Sequence, residues 1–473
     1  PLYRFILDNN LDLKDVYFDD LTVLSFIVDG SNNTFDKVKD AFNLWYHDLD
    51  EESQMLKTAR SFFDVWDTQM KKAKKDEVDK VYLEIERPLT KVLAKSEYYG
   101  FRVNQEKLDE IAQEKQSEIE SLTQQVHELV GEPFNLNSPK QLSEILFDKL
   151  ELPMIKKRST AVGVLEKLQD QHEIIPLILE YRRVQKLYST YAVGLQKHIE
   201  KDGKIHTKLN QHATQTGRLS SSEPNLQNIS VRDEEGRQVR SAFVASEGYR
   251  LMSIDYSQIE LRVLSFLAQE EKMMDAFNQN EDIHTQTAKD IFHVDSVSEN
   301  ERREAKSVNF GIIYGMQAYG LSEQLGISVA DASDYIKRYH TVYPNISHYM
   351  NKQIELCQEK GYVTTFFKRR RFIPEIHDSN RALREFGKRA AMNAPIQGTA
   401  ADIIKMAMVK VDAFLEDKKS KMILQVHDEL VLEVHMDELE LIEKEVVKIM
   451  ENIVDWPIDL KVSVNKGPTW LEA

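Results

Sequence analysis

Leu251-Met-Ser-Ile-Asp255-Tyr-Ser-Gln-Ile-Glu260-Leu-Arg262 passes from an apolar run to polar residues at helical spacing, with Asp255 at the junction and Glu260 five positions on. It reads as a strand that ends at Asp255 and runs into a helix over 256–262. A partner for that acid lies near the other end of the chain. Met422-Ile-Leu-Gln-Val426 and Leu430-Val-Leu-Glu-Val434 alternate around His427-Asp428-Glu429, which predicts a β-hairpin with acids at its tip. An acid at a strand end is most often a turn residue, because its side chain bonds nearby backbone N–H groups. As a pair, Asp255 and Asp428 have a second use: carboxylates so placed hold two Mg²⁺ ions ~3.5–4 Å apart, one activating a hydroxyl nucleophile and the other a leaving pyrophosphate. Whether the two strands are neighbours is a matter of tertiary structure.

Between these acids, Arg302, Lys306, Phe310 and Tyr314 recur at every fourth position of a segment with helix-forming composition. Four residues turn a helix by ~400°, so the side chains form one slowly drifting stripe about 18 Å long. Two cations followed by two aromatics suit a nucleoside triphosphate, its phosphates toward Arg302 and Lys306 and its base toward Phe310 and Tyr314. An ordinary amphipathic helix with a solvated basic end and a buried aromatic end has the same pattern, and the stripe alone does not separate the two. Gly311 and Gly315 weigh modestly toward a built site, since a glycine weakens a helix by about 1 kcal/mol and calls for a reason such as close approach by another chain or a ligand.

Arg389, Asn393 and Gln397 are again spaced by four. Their donors suit phosphates and groove-edge acceptors, and Pro395 with Gly398 predicts a kink in any helix there. His284 and His427 are ambiguous from residue type alone. Residues 361–400 carry a net charge of +5, whereas 431–460 carry −7. The acidic run reads as a solvated face, while Gly361, Pro374 and Gly387 divide the basic run into short segments that present arginines from turns as well as helices.

The 473 residues are a soft prior for about three domains, and 41% hydrophobic with 30% charged residues describe a globular chain with solvated surfaces. Lys+Arg of 62 against Asp+Glu of 78 leaves a net charge of −16, which excludes nucleic-acid binding by bulk charge; any such site must be a local basic surface. Cys357 is the single cysteine, so no internal disulfide forms, and the absence of a membrane-length apolar run or leader makes a cytoplasmic location the expectation. Because it begins at Pro1, the chain is expected to be a fragment or processed product. Apolar periodicity predicts long helices over 109–130 and about 178–199, an antiparallel hairpin that is either structural or grips a partner.

Five strings, in order, carry a specific resemblance: Thr216-Gly-Arg-Leu-Ser-Ser-Ser-Glu-Pro-Asn-Leu-Gln-Asn228, Asp255-Tyr-Ser-Gln-Ile-Glu-Leu-Arg262, Lys306-Ser-Val-Asn-Phe-Gly-Ile-Ile-Tyr-Gly315, Gln397-Gly-Thr-Ala-Ala-Asp402 and Val426-His-Asp-Glu429. Together they resemble family A DNA polymerases, from about Glu86-Arg-Pro-Leu89 to the C-terminus. The resemblance implies an α+β right-hand fold with a mostly antiparallel palm sheet: thumb 101–205, palm 206–266 and 387–473, fingers 267–386, preceded by a connection over 83–100. It implies a monomer, off the membrane and associated with a bacterial nucleoid, that extends a primer 3′-OH on template DNA with deoxynucleoside triphosphates in replication gap filling and repair. It further implies two Mg²⁺ ions, with Mn²⁺ as a substitute, held by Asp255, Asp428 and the Tyr256 backbone carbonyl, with Lys306 and Glu429 in the catalytic group. Arg302, Lys306, Phe310, Tyr314, His284 and Gln258 would surround the incoming nucleotide, and Glu260 would crowd its sugar 2′ position. Arg218, Arg389, Asn393, Gln397 and His427 would contact primer or template, joined by Arg370 and Arg371 of the basic run.

The chain departs from the family pattern in two places. Lys368 precedes three arginines where many members have a glycine. Residues 1–82 resemble only the tail of a proofreading 3′-5′ exonuclease. Asp50-Glu-Glu52 and Tyr46-His-Asp-Leu-Asp50 match its motifs formally but overlap in one polar stretch, and Leu56 and Arg60 stand where a tyrosine and an acid are expected. The segment is therefore expected to be an inactive remnant. A non-catalytic primer-template binder and a metal-dependent nuclease are the competing readings of the carboxylates, and neither needs a triphosphate platform.

Overall fold

The computed structural model describes every residue except 1, 10, 12, 14 and 15, so these five positions of the expected remnant lie outside the described residues. The chain divides into two compact units. One comprises Pro1–Tyr99, Lys208–Gln227 and Met252–Lys466; the other comprises Gly100–Thr207, Asn228–Leu251 and Gly467–Ala473. The larger unit takes in most of the residues expected to form palm and fingers, while 228–251 and 467–473 cluster in the smaller unit with most of the residues expected to form the thumb. Aromatic packing accounts for part of this, since Trp470 and Phe243 bury their rings against Phe101 at 5.4 and 4.9 Å between centroids. Among the described residues no helix is long and apolar enough to cross a membrane.

In the smaller unit, the helix Gln105–Val130 is capped by the Asn104 side chain at Lys107 N and ends at Gly131, whose positive φ of 79° suits a residue without Cβ. It packs against the helix Ile174–Lys186 through Leu122, Val126, Ile178 and Val184. The second helix is not continuous to residue 199. It changes to a π-helical turn over Leu187–Ala192 and then to a 3-10 turn over Leu195–His198. Apolar spacing persists through these turns while the hydrogen-bond register does not, so periodicity alone reads them as one helix.

The larger unit is built on a four-stranded sheet in the order Val462–Gly467, Tyr249–Tyr256, Glu429–His435, Lys421–Val426. The last two strands form the expected antiparallel hairpin, Val426 opposite Glu429. Behind the sheet runs a 35-residue helix, Arg381–Leu415, with Pro395 inside it. The expected kink does not interrupt the element, and its buried Gly398 serves close packing instead: a Cβ there would lie 3.1 Å from Thr216 O. The described part of residues 1–82 is helical, including the apolar Leu21–Asp29 and the long Glu51–Lys75. Asp50 is the N-cap of the latter and accepts from Ser53 N at 3.0 Å, with Glu51 and Glu52 in the first turn.

Candidate active site

Asp255 is the penultimate residue of the strand Tyr249–Tyr256, and the sheet sets it beside the hairpin tip: Tyr256 N donates to Asp428 O at 3.1 Å. Local geometry on both sides is specified by residues the chain can afford to twist. Gln258 takes a left-handed conformation (φ 55°) between strand and helix, and His427 does the same at the turn (φ 50°), a region that polar residues enter more readily than branched ones. Arg262 ties the first turn down, donating from Nε to Ser257 O at 3.0 Å and from Nη1 to Asp459 O at 2.6 Å over the Phe277 ring. Gln425 donates to His427 O across the hairpin turn.

The two acids meet in a buried, like-charged setting. Burial, reinforced by Asp428 and Glu429, pushes the Asp255 carboxyl up from 3.8 to about 7. Burial also raises Asp428, with Arg218 opposing it. Asp428 Oδ1 is enclosed without a hydrogen-bond partner. Enclosed carboxylates with an unpartnered oxygen suit a cation, so the pair fits a divalent metal. Among the described residues no group of three or more His, Cys, Asp and Glu forms a self-sufficient metal cage.

Glu260, on the first turn of the helix Ile259–Ala268, is buried at 5% exposure. Burial raises its pKa against the pull of Arg218, which donates to it from Nη2. Tyr314 Oη donates to the other carboxylate oxygen at 3.3 Å, and Gln397 adds a further hydrogen bond. Three expected site residues from distant parts of the chain thus converge on one carboxylate, itself an expected site residue.

The stripe of every fourth residue lies on the helix Glu299–Ile313, started by a capping box between Ser298 and Glu301. Arg302 and Lys306 are exposed, Phe310 is half-buried, and Tyr314 caps the C-terminal end. Gly315 does meet a close approach, by another part of this same chain, because a Cβ there would overlap Met392 and lie 3.1 Å from Arg389 Cγ. Gly311 does not, since a Cβ there would meet nothing nearer than 3.6 Å. His284 packs its ring 5.9 Å from Phe310 and takes a hydrogen bond from Asn309 Nδ2 to Nδ1 at 3.0 Å. Burial, with Lys306 and Arg302 nearby, lowers its pKa to about 4 despite Asp282, so the imidazole is neutral. No sequence pattern singles out Asp282. It N-caps the helix Ile283–Phe292 and pairs with Arg302 at 2.6 Å; though burial opposes ionisation, the bonds from Arg302 and Thr285 hold it at about 2.

The profile of DNA polymerase family A matches residues 105–472. The chain belongs to DNA polymerase family A. It is 45% identical over 429 residues to DNA polymerase I of Geobacillus stearothermophilus, covering 89% of this chain and 49% of that protein. Against DNA polymerase I of Bacillus subtilis (strain 168) the identity is 47% over 403 residues, 83% of this chain and 46% of the relative. The chain therefore spans about half the length of the curated relatives it matches. Its structure is similar to the POL domain of Pol1 from M. smegmatis, solved in complex with a DNA primer-template and dNTP: TM-score 0.90 at 36% identity, covering 96% of this chain and 82% of that one.

In this family A member, the remaining expected contacts fall into two groups. Arg389, Asn393 and Gln397 lie along the Arg381–Leu415 helix, Asn393 donating to Ile313 O at 3.4 Å, and His427 is exposed at the hairpin turn. Arg370 is engaged inside the fold instead, and Arg371 is half-buried. Arg370 pairs with Asp76 at 3.0 Å, donates to its carbonyl and lies over Tyr362, while burial lowers the pKa of Arg371 against the opposing pull of Glu375 and Cys357.

Proposed function

We propose that the chain is a DNA-templated DNA polymerase that adds deoxynucleotides to a primer 3′-OH, working in gap filling and repair. The observation that carries this is the meeting of Asp255 and the partnerless Asp428 Oδ1 beside a carboxylate, Glu260, that the nucleotide-facing helix reaches through Tyr314. Asp255, Asp428 and the Tyr256 carbonyl would hold the divalent ions, and Mg²⁺ bound there supplies activation of the hydroxyl and neutralisation of the leaving pyrophosphate. Arg302 and Lys306 receive the triphosphate, whose charge competes with Asp282 for Arg302. Neutral His284, its Nδ1 occupied by Asn309, carries its proton on Nε2 and acts as a donor. Phe310 and Tyr314 flank the base, and Glu260 fills the space a ribose 2′-OH would need. Arg218, Arg389, Asn393, Gln397 and His427 contact primer and template.

Primer extension with four deoxynucleotides tests the reading. Asp255→Asn or Asp428→Asn will abolish addition with primer-template affinity retained, because an amide keeps the shape but loses the charge that anchors the metal. Near-normal extension by either variant would refute it. Residues 1–82 are proposed to lack proofreading, since Asp50 serves as a helix cap. Stepwise shortening of a mismatched primer end, abolished by Asp50→Ala, would overturn that part.

A further inference from the structure

Behind the proposed sugar site, the larger unit contains a quartet of ionised side chains that the reaction does not touch. Glu86, Arg369, Asp402 and Lys405 are each at most 6% exposed. Arg369 and Lys405 both donate to Glu86 Oε1, and Arg369 Nε donates to Asp402 Oδ1 at 2.8 Å. Asp402 Oδ2 is taken by Thr365 Oγ1 at 2.8 Å. Burying four charges is expensive in desolvation, and a well-packed apolar cluster of the same volume is often at least as stabilising. The quartet therefore calls for a use other than stability.

Its contacts supply one. The loop that carries Arg218 begins at Gln211, whose amide donates to Glu86 Oε2 at 2.7 Å and to Glu86 O at 2.9 Å, and whose Oε1 accepts from Thr90 at 2.9 Å. The same loop closes at Gly217, in the left-handed region (φ 79°), lying so flat on the Arg369 side chain that a Cβ would be 2.8 Å from its Cδ and 2.9 Å from its Nε. Thr214 Oγ1 donates to Arg218 O at 2.6 Å and fixes the turn between these anchors. Arg218 then reaches Glu260.

We infer that the Glu86–Arg369–Asp402–Lys405 quartet positions the loop 211–218, and through Arg218 sets the place of Glu260 at the sugar edge of the nucleotide. Glu86, Arg369 and Gln211 are thus positioning residues for nucleotide selection, far from Glu260 in sequence. The inference rests on the polymerase reading above.

The test uses Gln211→Met, which removes one anchor at similar volume without adding or deleting charge, and Arg369→Lys, which keeps the charge but loses the planar surface under Gly217. Each is compared with the unaltered chain, and both are repeated in an Arg218→Ala background. The readout is the ratio of catalytic efficiencies for ribo- and deoxynucleotide addition. Partial unfolding cancels in that ratio, because both substrates meet the same folded fraction. We expect each variant to change the ratio by on the order of tenfold, the scale on which small misplacements act, and to change it little further once Arg218 is absent. An unchanged ratio in whichever variant folds, or equal changes with and without Arg218, would overturn the inference and leave the quartet a structural element. Loss of folding in both variants would overturn it too, since a positioning device tolerates loss of one anchor. Failure of the unaltered chain to extend a primer would count against the proposed function instead.

Discussion

Replacing Asp255 by Asn separates stability from activity. In the metal-free protein its carboxyl rises from 3.8 to about 7 because it is buried next to Asp428 and Glu429. At about 1.4 kcal/mol per pKa unit, that rise bounds the penalty of ionising it at ~4 kcal/mol. Part of the carboxyl remains open to solvent, which screens the charge, so a gain of about 1–3 kcal/mol is the working figure for Asp255→Asn. The folded value lies above the unfolded one. The native chain therefore holds the proton more tightly across that window, and stability is lost as pH rises through about 7. Asparagine cannot ionise and escapes this loss. Thermal melting in a chelator will show Asp255→Asn more stable than the unaltered chain at a pH above that value, by several degrees, with the gap closing as the pH falls toward 3.8. The same variant will be inactive in primer extension. A variant no more stable at high pH, or equally more stable at both ends, would refute the argument that charge burial is the cause.

The same geometry makes further predictions. Glu260→Ala will raise the ribo-to-deoxynucleotide efficiency ratio, and Phe310→Tyr, by adding a hydroxyl beside the sugar, will relax discrimination against dideoxynucleotides; unchanged ratios in both would show that the sugar does not lie between these residues. Asp282→Asn keeps the cap on Ile283–Phe292 but frees Arg302, so the KM for deoxynucleotides will fall a few-fold while kcat changes less. Neutralising Arg370 and Arg371 together will leave the slope of log affinity for primer-template against log salt unchanged, whereas Arg389→Ala will reduce it by about one; a shallower slope on neutralising Arg370 and Arg371 would place those two arginines on DNA.

How far the site was legible depended on whether its signal was local. The strand ending at Asp255, the Lys421–His435 hairpin with its acidic turn, and the helix under Arg302, Lys306 and Phe310 follow from alternation, four-residue spacing and turn chemistry, each complete within about fifteen residues. Motif order then named the family, because five independent strings in sequence leave little room for coincidence. The break after Lys186 was not legible, since a π turn keeps apolar spacing while shifting the hydrogen bonds. Nor was the grouping of 228–251 and 467–473 with the helices of the smaller unit, which depends on rings at residues 101, 243 and 470 meeting.

Charge was the least legible quantity. The net of +5 over 361–400 suggested a surface for a polyanion, yet Arg369 is buried in an ionic quartet and Arg370 is held by Asp76, because a count of charges carries no information about which are already neutralised by partners hundreds of residues away. The sequence by itself determined the family, most of the local elements and the side chains that are candidates for the chemistry. Only the tertiary structure decided that Asp428 comes to lie beside Asp255, that Arg218, Tyr314 and Gln397 share Glu260, and which cations remain free, since these depend on pairings between segments that sequence order keeps far apart.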